Sequence, residues 1–236
     1  MTPYKPAPKP YRGQRRVRTA VALLALTLTA CDTAQSTPAD AAPPPDAALD
    51  ALADLRIDNS PARGYNRDRF GAAWADVDRN GCDTRNDILA RDLTGEKFKS
   101  GTRNCIVLSG TLVDPYSGDT ITFRRGQSTS DDVQIDHVVA LADAWRSGAN
   151  EWTTRERTKF ANDPANLLAV SGPINQDKSD QPADEWLPPN EAYHCEFAAQ
   201  QVTVKHTWRL SVTTAEADVL AEVLTTCPEE ALQRDD

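Results

Sequence analysis

Apolar positions along this chain fall into different rhythms, and each change of rhythm marks a change of element. The uncharged run from Thr19 to Ala30 follows Arg12, Arg15, Arg16 and Arg18; it is too short for a retained spanning helix and reads as a signal segment. From Asp32 to about Ser60, Ala, Pro and Asp dominate and large apolar residues are scarce. That composition predicts a disordered tether, within which Ala47 to Ile57 can form a short helix. A helix is expected from a Thr84 cap to about Leu93, with Asp87 as the acid of a capping box. Two β-rich runs, Cys105 to Val113 and Asp119 to Phe123, flank a turn carrying Pro115 and Gly118, which predicts a hairpin. Val133, Ile135, His137, Val139 and Leu141 then share one face of a strand-like run. Thr153 and Glu156 open a capping-box helix to about Ala161, and Asn166 begins a second apolar run. The tail reads as two helices. One starts near Asn190 with Cys195, Ala198, Val202 and His206 on its buried face; the next is capped by Thr213 and Glu216 and carries Ala217, Leu220 and Leu224. The expected class is α+β, with a leader over 1–31, a tether over 32–60 and one folded domain over 61–236.

Compartment changes the reading of the cysteines. Leu28-Thr29-Ala30-Cys31 resembles a lipobox, in which Cys31 is lipidated and becomes the new N-terminus. The alternative is an ordinary secretory signal with a chance cysteine. The first reading places the protein on the outer side of a bacterial membrane through a lipid anchor at Cys31, and the second leaves it secreted. In an oxidising compartment, Cys82, Cys105, Cys195 and Cys227 are expected to form two disulfides. Cys195 lies early in one helix and Cys227 ends the next, so antiparallel packing pairs those two and leaves Cys82 with Cys105.

Charge limits the partners. The whole chain carries −9, but six basic residues and no acids precede Cys31, which leaves 20 basic against 35 acidic residues afterwards. A broadly basic nucleic-acid surface is therefore excluded. The segment from Lys97 to Lys178 is balanced, with ten residues of each sign. Arg124, Arg125, Arg155 and Arg157 are candidate phosphate contacts there, or ordinary solvated charges. Asp76, Asp78 and Asn80 with Gly81 match the first half of a calcium loop, whose last position is Asp87 instead of the usual Glu. The competing reading of that stretch is the helix cap.

The stretch from Gln134 to Lys178 carries the candidate chemistry. A histidine titrates near neutral pH and so suits a general base, and His137 alone of the three histidines adjoins a candidate metal ligand, Asp136. Asp136 and Asn175 offer hard oxygen atoms, which suit magnesium or manganese; with no second histidine or thiolate at hand, zinc is disfavoured. On a regular strand Asp136 and His137 point to opposite faces. A buried, inert core histidine is the competing reading.

The ordered set Asp136-His137, Asn166, Asn175 and Lys178 resembles the HNH endonucleases. The runs Asn80 to Asn86, Ile135 to Leu141, Asn162 to Val170 and Trp186 to Pro189 resemble secreted bacterial HNH proteins related to the C-terminal domain of the GmrSD restriction enzymes, over about Tyr65 to Cys227. The resemblance implies a ββα-metal finger at about 133–180 and metal-dependent hydrolysis of nucleic acid, DNA first and RNA as the alternative. It implies that His137 activates water, Asp136 and Asn175 bind Mg2+ or Mn2+, Asn166 orients the catalytic loop and Lys178 faces the phosphate. Asn175 stands where many members have histidine, a variant that shifts the preference towards magnesium. The rival expectation is a non-catalytic, metal-dependent surface binding module on the same scaffold, with a structural calcium ion in the Asp76 loop. No protein partner is expected.

Overall fold

The computed structural model describes residues 43–228, and its elements run α1 (Pro45–Ala53), α2 (Thr84–Asp92), β1 (Thr94–Phe98), β2 (Val107–Val113), β3 (Thr120–Arg124), β4 (Val133–His137), α3 (Leu141–Arg146), α4 (Thr154–Phe160), β5 (Leu167–Ser171), α5 (Gly172–Lys178), α6 (His194–Trp208) and α7 (Thr214–Thr226). The leader, Cys31 and the first part of the expected tether lie outside the described residues. No helix among the described residues is long and apolar enough to cross a membrane.

The packed domain starts earlier than composition suggested. Ala48, Leu52 and Leu55 form a buried stripe on and just after α1, which packs against α6 and α7. Ile57 then bridges Val212. Residues 45–57 thus pack onto the folded domain through Ala48, Leu52 and Leu55, because small and branched apolar residues at helical spacing outweigh the Ala/Pro/Asp bulk around them.

Strands β1, β2 and β3 form one antiparallel sheet in that order, and β4 pairs antiparallel with β5 in a second. The hairpin of β2 and β3 has the expected turn, while β1 is an added edge strand with a polar sequence. The β4–β5 ribbon is covered on both faces. Val133, Ile135, Leu167 and Ala169 pack with α2 and the first sheet, whereas Leu168 and Val170 face Val138, Tyr116 and Phe197 of the helical side. Every residue of β5 is buried, which explains its unbroken apolar run. A third cluster gathers Phe70, Trp145, Phe160 and Leu210 around α3 and α4.

Several caps follow from sequence, with adjustments. Thr153 and Glu156 make the capping box of α4. The cap of α2 is Asp83, one residue before Thr84, and its side chain accepts from the Asn86 amide; Asp87 instead meets Asn80. Thr213 caps α7, but the Glu216 carboxylate turns inward to Lys205. Ala198 and Val202 are buried as expected, with Phe197, Gln201 and Lys205 buried beside them, whereas His206 is exposed. Both expected disulfides are present, Cys82–Cys105 and Cys195–Cys227. Loops of this size lose roughly 3–4 kcal/mol of unfolded-state entropy on crosslinking.

Lys205 joins α6 to α3 and α7 through Asp143 at 2.9 Å and Glu216 at 2.5 Å, all buried. Two carboxylates share one ammonium there. Burial raises the Glu216 carboxyl to about 7, with Asp143 adding to the rise and Lys205 opposing it. Burial alone would lower Lys205, but the two carboxylates outweigh it and hold it above its ordinary value.

Candidate active site

Strands β4 and β5 followed by α5 make a ββα unit, with His137 opposite Leu167 and Val133 opposite Ser171. His137 is the last residue of β4, so its ring stands at the end of the ribbon. Asn166 fixes the chain beyond it. The Asn166 side chain accepts from the Val139 amide at 2.8 Å and donates to the Val139 carbonyl at 3.1 Å, and its own carbonyl accepts from Val138 at 2.9 Å. Wholly buried, this amide fills both polar groups of Val139.

The His137 Nε2 lies 2.9 Å from the Ala161 carbonyl oxygen at the end of α4. A carbonyl only accepts, so the proton belongs on Nε2 and the lone pair on Nδ1. Trp74 stacks beside the ring, with centroids 6.2 Å apart and planes 13° from parallel. Trp74 holds a left-handed backbone, φ 57°, in the loop before α2. Burial lowers the His137 pKa to about 4, against the opposing pull of the Ala161 bond and Asp136, with Arg67 and Lys178 lowering it further. At neutral pH the imidazole is therefore uncharged, with Nδ1 able to take a proton.

Asp136 lies on the other face of β4, as strand alternation dictates. Its side chain is 5% exposed. Tyr116 donates to one carboxylate oxygen at 2.6 Å and the Lys178 ammonium to the other at 3.0 Å. Lys178 also donates to the His137 carbonyl at 2.9 Å and is 0% exposed. Burial, followed by the Asp136 charge, holds the Tyr116 hydroxyl well above its ordinary pKa, so it remains a donor. Asn175 donates its amide to Gln134 at 2.9 Å, across the same face.

Magnesium or manganese does not fit this arrangement of ligands. Both Asp136 oxygens are taken, one of them by a full positive charge, while Asn175 gives its amide nitrogen, not its oxygen, to Gln134. Among the described residues no three His, Cys, Asp or Glu side chains converge so as to hold a metal ion. Nor does the Asp76 loop present an oxygen cage. Asp76 accepts from the Gly81 amide, Asn80 donates to Asp78 and Asp87, and the Asn80 oxygen accepts from Cys82.

The candidate phosphate contacts divide. Arg157 is buried and donates to the carbonyls of Arg69, Ala149 and Trp152, with its guanidinium over Trp145. Arg125 donates to the Val107 carbonyl and to Asn86. Arg157 is structural, and buried Lys178 likewise cannot reach a phosphate as it stands, whereas Arg125 is exposed despite these two bonds. Arg124 and Arg155 are exposed. Arg67, which sequence reasoning missed, is close enough to His137 for its charge to be felt there. Tyr116 was missed because it sits in a polar turn; a tyrosine between Pro115 and Ser117 was the available signal.

The family model of the C-terminal domain of GmrSD restriction endonucleases matches residues 83–223. An uncharacterized secreted protein of the fungus Arthroderma benhamiae is 38% identical over 210 residues, which covers 86% of this chain and 98% of the relative. That source takes the likeness beyond bacteria. No solved structure matches the chain significantly. The matched residues include Asp136, His137, Asn166, Asn175 and Lys178, whereas Arg67 and Trp74 precede them.

Proposed function

Since the chain belongs to the family of the GmrSD restriction endonuclease C-terminal domain, we propose that it is an exported HNH-type endonuclease hydrolysing phosphodiester bonds of nucleic acid, with His137 as general base. The observation that carries this reading is the Nε2 bond to Ala161, which leaves Nδ1 of a neutral imidazole free at the strand end. Water gives its proton to Nδ1 as its oxygen attacks phosphorus, and the ester oxygen leaves in line, taking a proton from solvent. Asn166 holds the backbone behind the base. Arg67 supplies positive charge near the attacked phosphate.

Magnesium, with manganese second, is the ion that the family resemblance implies, but the Asp136–Lys178 pair as it stands is closed to it. For Asp136 to hold it, the carboxylate must first give up Lys178. DNA is the proposed substrate, with RNA next, because a finger that recognises phosphate leaves base choice to its surroundings. Export is supported by the secreted relative and the two disulfides. Lipidation at Cys31 is the proposed anchor.

The closed pair of Asp136 and Lys178 favours a second reading, a surface binding module on a nuclease scaffold. Cleavage assays on plasmid DNA, single-stranded DNA and RNA, with the His137→Ala protein alongside, separate the two. Turnover lost in the variant supports the nuclease; binding of nucleic acid without turnover supports the module.

A further inference from the structure

The ion expected at Asp136 is excluded by another cation. We propose that Lys178 is the finger's own counter-ion: its ammonium neutralises Asp136 from within, ties β4 to α5, and lets a divalent ion bind only in exchange for it. The inference rests on reading Asp136 and Asn175 as the candidate ion ligands, but not on turnover.

The pair is built into the fold. The side chains of Lys178 and Asp136 are 0% and 5% exposed, so neither charge is screened by water. Lys178 spends a second donor on the His137 carbonyl, which places it between the two neighbouring residues of the site. The remaining Asp136 oxygen is closed by Tyr116. Lys178 ends α5, and the chain then turns through Ser179 at φ 53°. Arg146 of α3 holds the next residue, Asp180, at 2.6 Å. The lysine therefore enters the site from a fastened helix end. A divalent ion beside that ammonium would meet like charge in a poorly screened interior. The fold consequently has no need of a divalent ion to balance Asp136.

The test is Mn2+ binding to the full chain, followed by electron paramagnetic resonance and calorimetry, together with thermal melting in Mn2+ or EDTA. The wild type is expected to bind Mn2+ weakly and to melt at the same temperature in both. Lys178→Gln is expected to bind one Mn2+ about tenfold or more tighter. That gain should vanish in the Lys178→Gln, Asp136→Asn double variant. Stoichiometric, tight Mn2+ binding by the wild type with a melting temperature lowered by EDTA would overturn the proposal, as would a folded Lys178→Gln protein with no gain. If Lys178→Gln does not fold, the wild-type comparison decides alone. Failure of the cleavage assay leaves these readouts untouched, so the two proposals fall separately.

Discussion

The Lys178 ammonium donates to Asp136 at 3.0 Å across 42 residues of sequence, joining the end of α5 to the penultimate position of β4. Removing one partner strands the other charge. Lys178→Met is expected to cost about 3 kcal/mol or more, and pairing it with Asp136→Leu should recover much of that loss. Urea denaturation of the wild type, both single variants and the double variant measures the coupling.

Asn166 satisfies the amide and carbonyl of Val139 at once, so Asn166→Ala leaves two buried backbone groups unpaired. A loss of about 2–4 kcal/mol is expected from those two groups. Asn166→Asp keeps the acceptor and loses the donor, and should fall between wild type and alanine in chemical denaturation if the clamp acts as described.

The finger was legible because its two strands carry different patterns for a physical reason. β4 keeps its polar positions, Gln134 and Asp136, on the face that meets α5, whereas β5 is buried throughout. The disulfides followed from helix ends meeting in an antiparallel pair. Other features were hidden. The stripe of Ala48, Leu52 and Leu55 was masked by surrounding Ala, Pro and Asp, and β1 reads as polar because it is an edge. Arg157 looks like the wet face of a short helix, but carbonyls at Arg69, Ala149 and Trp152 enclose it. The partners of Asp136 come from residues 20 and 42 positions away, and no local pattern announces them.

Glu216 gives the fold a pH dependence of definite sign. Its carboxyl is raised from 4.5 to about 7, so the folded protein holds a proton in that window that the unfolded chain has released. Stability from this group is therefore greatest below the unfolded value and falls as pH rises towards 7. The raised Lys205 acts in a separate range: its contribution is complete below 10.5 and is lost as pH rises through the higher folded value. Glu216→Gln should flatten the fall between about pH 5 and pH 7 by roughly 1–2 kcal/mol, read from denaturation at each pH.

Arg67 lies outside the matched family segment yet influences His137. Arg67→Ala is expected to weaken nucleic-acid binding and to reduce the slope of log affinity against log salt by about one. Arg157→Ala should instead lower the melting temperature, because that guanidinium is spent on backbone carbonyls. Filter binding over a salt series, with melting curves for both variants, distinguishes the two roles.

The most direct measurement is nucleic-acid cleavage by the purified protein against His137→Ala, with melting temperature recorded for both. A general base at Nδ1 predicts that the wild type cleaves and that the variant loses about 10²–10⁴-fold in rate while remaining folded. A folded His137→Ala protein that cleaves at the wild-type rate, or a wild type that cleaves neither DNA nor RNA, would contradict it.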